Sequence, residues 1–468
     1  MAQAASTITF LGDDFRLDAT VGSDYVVLDI KDGPSLLLHP YHAKDLLEAQ
    51  LSPGAVTVNG SGEVFVPSTL AWKGLATAAS TIGVSRAALG KVFLSAIRVV
   101  EGPIEDAIEA AAVEKIIEHF DDSVGNGVFA LSRTLPGQMK KPDAAADDSI
   151  LPRPDSTSVL FLIHGTFSDT SASFGKLWSE HPEHVDKLFE TYGDSVYALD
   201  HPTLGVSPIQ NALTLVRALK GNNRLHLVTQ SRAGLVAEVL ARICASPVIS
   251  AADEAFFKDD PKSLAELQAL AAEVKAKSVT VDRIVRVTCP VRGAPLASNR
   301  LDAYLSVLKW TLESAQVGVP PQFVELLAMV ATTGLEPKHA PGLAAHSSDS
   351  ALIRWLHYSL TTQLPGDLRI VSGNVTGHPV ISWLNTLLSV GFIWTGKDFV
   401  VPMYSMYGGL PRERGASFLF DQIGLVPYFR YFSDPSIVDA MTSALVNPAA
   451  PAGFNPMSLL WTSKSRAF

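Results

Sequence analysis

Residues 224–236 read Arg224-Leu-His-Leu-Val-Thr-Gln-Ser231-Arg-Ala-Gly-Leu-Val236. Arg224–Val228 is an apolar strand, and a helix is expected from Ala233 to Ala245. Ser231 therefore sits on the turn between a strand and a helix, with small residues around it. This is where a nucleophile elbow belongs. Such a serine takes a strained backbone so that its Oγ stands clear of the sheet. The residues two before and two after must be small, or they clash with the adjacent strand and helix. Gly-x-Ser-x-Gly is the usual form; here Thr229 and Ala233 replace the glycines and Gly234 follows. The same residues also suit a plain helix start, with serine as N-cap and Gly234 easing close packing. This stretch alone does not decide between the two.

The flanking elements do. Ser158–Ile163 is a strand without polar interruption that runs into His164-Gly165-Thr166-Phe167. An apolar strand ending in His-Gly is the form of an oxyanion loop. The N–H after the glycine, from Thr166, would join the N–H of Arg232, the residue after the nucleophile. Gly165, Thr166 and Arg232 are thus the candidate oxyanion residues. Further strands are expected at Val196–Leu199, Val281–Thr288 and Leu368–Val371. Uninterrupted apolar strands separated by helices predict a parallel sheet covered on both faces, an α/β fold. Ala251–Lys277 reads as a charged, Ala-rich helical insertion.

Four ordered blocks carry a family resemblance over about residues 155–446. They are Leu160-Phe-Leu-Ile-His-Gly-Thr-Phe-Ser-Asp-Thr-Ser-Ala-Ser-Phe-Gly, Asp200-His-Pro-Thr-Leu-Gly-Val-Ser-Pro-Ile-Gln-Asn-Ala-Leu, Leu225-His-Leu-Val-Thr-Gln-Ser-Arg-Ala-Gly-Leu-Val and Thr288-Cys-Pro-Val-Arg-Gly-Ala-Pro-Leu-Ala-Ser. Together they resemble a bacterial lipase-like α/β-hydrolase family often found with CHAT-protease modules. The resemblance implies an α/β-hydrolase fold with a mostly parallel central sheet and a serine esterase or lipase chemistry without a cofactor. Relatives usually read Thr-His-Ser-Arg-Gly-Gly at the elbow; Gln230 and Ala233 depart from that. Lys397-Asp-Phe-Val-Val-Pro402 looks like the family's Asp-x-Val-Val-Pro segment. That implies Asp398 as the carboxylate orienting a histidine.

The histidine is where the pattern breaks. In this fold the triad runs serine, acid, histidine along the chain. Of the twelve histidines none follows Asp398; the last is His378. The family's histidine is expected shortly before a Tyr-Phe pair, and aligned on Tyr431-Phe432 that position holds Tyr428. A tyrosine, with an unperturbed pKa of about 10, is a poor base at neutral pH. Loss of the base can cost about six orders of magnitude in rate. Three explanations remain open: another histidine serves, with His378 best placed and His346 and His357 as others; Ser231 turns over slowly with different help; or the domain is an inactive module that binds a ligand or partner.

The rest of the chain bounds the answer. It has 468 residues, with 37 Lys+Arg against 47 Asp+Glu, a net charge of −10. A hydrophobic content of 47% with only 18% charged residues excludes wholesale disorder. The acidic balance argues against nucleic-acid binding. Cys244 and Cys289 alone allow neither a disulfide framework nor a cysteine zinc site, and His181-Pro-Glu-His184 lacks an evident third ligand. Ile370–Gly396 carries no Asp, Glu, Lys or Arg, but its Gly, Pro and Asn breaks favour a strand plus an apolar helix, Val380–Phe392, over a membrane span. With no basic n-region before Arg16, a cytoplasmic protein is expected. Residues 7–67 read as short strands divided by turns. Helices are expected at Ala71–Ala78, Arg86–Val99 and Pro103–Phe120. The expected domains are a β-rich accessory part over 1–134, which could meet a protein partner, a linker over 135–154 and the α/β-hydrolase domain over 155–468. The expected substrate is a small-molecule or lipid-like ester.

Overall fold

A computed structural model describes residues 6–31, 33–50, 63–66, 94–103, 115, 117–119, 121–122, 124–134, 158–293, 301–314, 319, 321–335, 340–358, 363–373, 408–421, 431–447 and 454–456. They belong to two compact units.

The first unit is β-rich. Among the described residues it has two three-stranded sheets. One has the order β2 (Arg16–Thr20), β1 (Thr7–Leu11), β5 (Glu63–Phe65); the other has β4 (Ser35–Leu38), β3 (Asp24–Ile30), β6 (Leu94–Glu101). Alternating residues such as Ile8 and Phe10, Val26 and Leu28, Leu36 and Leu38 share one apolar core, the period of a half-buried strand. The helix expected over Arg86–Val99 is corrected here: Leu94–Glu101 is a strand, antiparallel to β3. Its Ile97, Val99 and Val100 are β-branched, and pairing along β3 outweighs the weak helical spacing. The helix Leu301–Ser314 packs in this unit. Its Ser306 Oγ accepts the Leu37 N–H at 2.9 Å, and Asp302 accepts the His39 N–H at 2.9 Å and meets His42 Nδ1 at 2.7 Å. The expected strand at Val56, the helix Ala71–Ala78 and the apolar helix Val380–Phe392 lie outside the described residues.

The second unit is an α/β-hydrolase fold. Its sheet holds β7 (Gly127–Ala130), β8 (Val159–Ile163), β9 (Val196–Asp200), β10 (Arg224–Gln230), β11 (Thr280–Val287), β12 (Asp367–Gly373), β13 (Ala416–Asp421) and β14 (Asn455–Pro456). Their order is β14-β13-β12-β11-β10-β8-β9-β7. The six strands from β13 to β9 are parallel, and both edge strands are antiparallel. Every residue of β8 and β9 is buried, as a sheet covered on both faces requires. The two faces separate along β8. Val159, Phe161 and Ile163 join the core under the helices Pro208–Ala218, Ala233–Ala245 and Pro261–Lys277, while Leu160 and Leu162 join the core under Thr170–Glu180, Pro182–Tyr192 and Pro435–Val446. Ala251–Lys277 forms two helices, Ala251–Phe256 and Pro261–Lys277.

From β8 the chain moves outward to β9, then returns across β8 to β10. The order reverses there, and in open α/β sheets ligands bind beside such a reversal, at the carboxyl ends of the strands. Ser231 and the His164-Gly165 turn both lie at those ends. The helix after Ser231 is held by a buried ionic triad. Glu238 on that helix meets Arg286 of β11 at 2.9 Å and accepts two bonds of 2.8 Å from Arg412. Arg286 also donates to the Gly408 carbonyl at 2.7 Å. The triad thus ties helix, sheet and residues 408–412 together. Among the described residues no helix is long and apolar enough to cross a membrane.

Candidate active site

The backbone at Ser231 carries the geometry of an elbow. Its φ is +53°, in the left-handed region that a residue with a Cβ rarely adopts. The strand ends at Gln230, the Ser231 N–H donates to the Val287 carbonyl at 3.0 Å, and the helix opens with Gly234 N–H to Ser231 C=O at 3.1 Å. Two neighbouring strand ends also hold non-glycine residues at positive φ, Phe167 (+58°) after β8 and Thr288 (+52°) after β11. Strain of this kind gathers at functional sites. The replaced glycines are accommodated. Thr229 is fully buried with its hydroxyl 3.4 Å from Cys289 Sγ, and Ala233 is fully buried as well. The close approach falls instead to Gly234, where a Cβ would lie 2.4 Å from Cys289 Cβ.

Gly165 packs directly on the serine. A Cβ there would stand 2.8 Å from Ser231 Cβ and 3.4 Å from Ser231 Oγ. Any side chain at 165 would push the loop off the elbow, which is a physical reason for glycine. Thr166 is buried, its Oγ1 without a hydrogen-bond partner. The Phe167 N–H is taken by Thr203 Oγ1 at 3.3 Å.

Arg232 contributes more than its backbone. Its side chain is fully buried, with Nε donating to the Gly342 carbonyl at 3.2 Å and another nitrogen to the Val206 carbonyl. Burial pushes its pKa down to about 10, against the pull of Asp121. Asp121 accepts the N–H groups of Thr203, Leu204 and Gly205 at 2.9, 3.1 and 2.6 Å. Sequence reading missed Asp121; nothing local to it signals a carboxylate caught by three successive N–H groups so far along the chain.

The candidate bases divide. Asp398, Tyr428 and His378 lie outside the described residues. His346 is fully buried, neither ring nitrogen has a hydrogen-bond partner, and burial with the Arg232 charge pushes its pKa down to about 3. So weak a base is ill matched to neutral pH. His357 donates Nδ1–H to the Ile353 carbonyl at 2.8 Å, which leaves Nε2 as the basic nitrogen, without a hydrogen-bond partner, and burial lowers its pKa. His181 and His184 meet the Ser433 carbonyl and Asp439 at 3.1 Å each. Among the described residues no group of three or more His, Cys, Asp or Glu is arranged to hold a metal.

Comparisons with known proteins place this region but not its chemistry. A domain of unknown function (DUF7379) matches residues 126–252, from the start of β7 through the helix after Ser231. Among solved structures the chain is similar to the Vlm2 thioesterase domain bound with a tetradepsipeptide, at 9% identity over 70% of this chain and 99% of that one, with a TM-score of 0.28. An esterase from the archaeon Pyrobaculum calidifontis is similar at 12% identity, over 73% and 95% of the two chains, with a TM-score of 0.28. DphMB1 is similar at 10% identity, over 63% and 78%, with a TM-score of 0.28. No curated protein matches the chain. At these TM-scores the fold assignment rests on the strand order and the elbow, not on the neighbours.

Proposed function

We propose that this chain is a serine hydrolase of carboxylic esters in which Ser231 is the nucleophile. The observation that supports it is the left-handed Ser231 at the carboxyl end of β10, with Gly165 of the neighbouring strand end packed against it. Ser231 Oγ attacks the ester carbonyl, and the N–H groups of Thr166 and Arg232 receive the oxyanion. Asp398 orients the base, and the sequence resemblance to bacterial lipase-like hydrolases puts Tyr428 where the base usually stands. His346 is too weak a base, and His378 is the histidine that its place in the chain favours as a substitute. The substrate is a small-molecule or lipid-like ester.

The second reading is a catalytically inactive binding or regulatory module on the same fold. Tyr428 favours it, since no histidine follows Asp398 in the chain. One variant separates the two. If the chain is the inactive module for want of an imidazole, Tyr428→His gains hydrolysis of p-nitrophenyl esters by about 10²–10⁴-fold, the usual contribution of a positioned base; if another base already serves Ser231, the variant gains little. The double variant Tyr428→His/Ser231→Ala then loses the gain. A gain that survives loss of Ser231 contradicts the serine mechanism.

A further inference from the structure

The mechanism above uses the Thr166 N–H but leaves the buried polar side chains beside it without a task. His164 is fully buried at the end of β8. Its Nε2 lies 3.0 Å from the His201 backbone nitrogen, which can only donate, so Nε2 is the acceptor. The ring proton is therefore on Nδ1, and Nδ1–H donates to the Gly165 carbonyl at 2.8 Å. That carbonyl belongs to the same peptide unit as the Thr166 N–H. In a planar trans peptide the two point in opposite directions.

We infer that His164 is a positioning residue: by holding the Gly165 carbonyl against its imidazole, it turns the Thr166 N–H toward the oxyanion formed at Ser231. The inference rests on the serine-hydrolase reading. The next N–H along, of Phe167, is committed to Thr203. The tautomer is protected from several sides. The His201 ring stacks on His164 with centroids 4.2 Å apart. Asp200 Oδ1, 3.7 Å from Nε2, is engaged by the Thr170 N–H and hydroxyl at 2.9 and 2.5 Å. Burial lowers the His164 pKa against the pull of Asp200, which keeps the imidazole neutral and Nε2 free to accept.

The test compares His164→Leu, which removes the donor, with His164→Asn, whose amide nitrogen reaches about where Nδ1 stood. The probe is a fluorophosphonate, whose adduct oxygen occupies the oxyanion position. The second-order labelling rate at Ser231 should fall about 10²-fold in His164→Leu, the loss typical of one oxyanion donor. It should return to within about tenfold of wild type in His164→Asn. A folded His164→Leu protein that labels at the wild-type rate overturns the inference. So does an equal loss in both variants, which marks a merely structural role. A second measurement does not depend on reactivity: ¹⁵N NMR of the His164 ring should show the Nδ1–H tautomer, unchanged across neutral pH. An Nε2–H tautomer overturns the inference. A wild type that takes no label while showing the Nδ1–H tautomer refutes the hydrolase reading and the aiming role with it, leaving only the peptide lock.

Discussion

Replacing Ser231 by alanine is expected to bring ester hydrolysis down to the small residue that the oxyanion hole and binding alone supply, while leaving the fold intact. The expectation on the fold follows from the backbone. Serine and alanine both carry a Cβ, so the strain at a φ of +53° is the same in each. Ser231→Gly is different, because glycine adopts that region freely. It should lose the same activity yet unfold at a higher temperature, by about 1 kcal/mol of relieved strain. In a complete triad, loss of the serine costs about six orders of magnitude. Here the drop measured is smaller if Tyr428 already lowers the starting rate, but the end point is the same. Hydrolysis by purified Ser231→Ala at the wild-type rate would mean that another group does the chemistry.

The second large effect is on stability. Glu238→Gln keeps the shape of the side chain but leaves Arg286 and Arg412 facing each other, all three residues being almost fully buried. A buried pair need not stabilise relative to an apolar replacement, yet removing one partner costs about 3–5 kcal/mol. A fall in Tm of at least about 5 °C is expected for the variant. Acid supplies the internal check. Burial raises the Glu238 pKa, but Arg412 and Arg286 outweigh it and leave it below the ordinary value. A carboxylate depressed in the folded state contributes fully above its unfolded pKa of about 4.3 and loses that contribution as pH falls through the folded value. The Tm gap between wild type and Glu238→Gln should therefore close on strong acidification. Equal Tm values at neutral pH would contradict the triad's role.

What could be read from sequence follows from how local each signal is. The strands β8 to β12 were legible because each is a short apolar run between helices, and Ser231 and Gly165 because the turns that carry them are local. Leu94–Glu101 was misread because its partner β3 lies some seventy residues earlier, and pairing decided its conformation. Glu238 gave no signal for the same reason: its partners are 48 and 174 residues away. His164 was visible as part of a His-Gly turn, but its tautomer depends on the backbone of His201, 37 residues on. His346 and His357 were candidate bases on chain position alone. Burial, which only the fold reveals, removes the basicity of the first and lowers that of the second.

The most direct test of the central claim is the intact mass of the protein after exposure to a fluorophosphonate, with Ser231→Ala as control. A single adduct on the wild type that is absent from the variant is the predicted result. It would show an activated serine, with a base to be sought around it at the carboxyl edge of the sheet. A folded wild type that takes no adduct, or an adduct that persists in Ser231→Ala, would contradict the account.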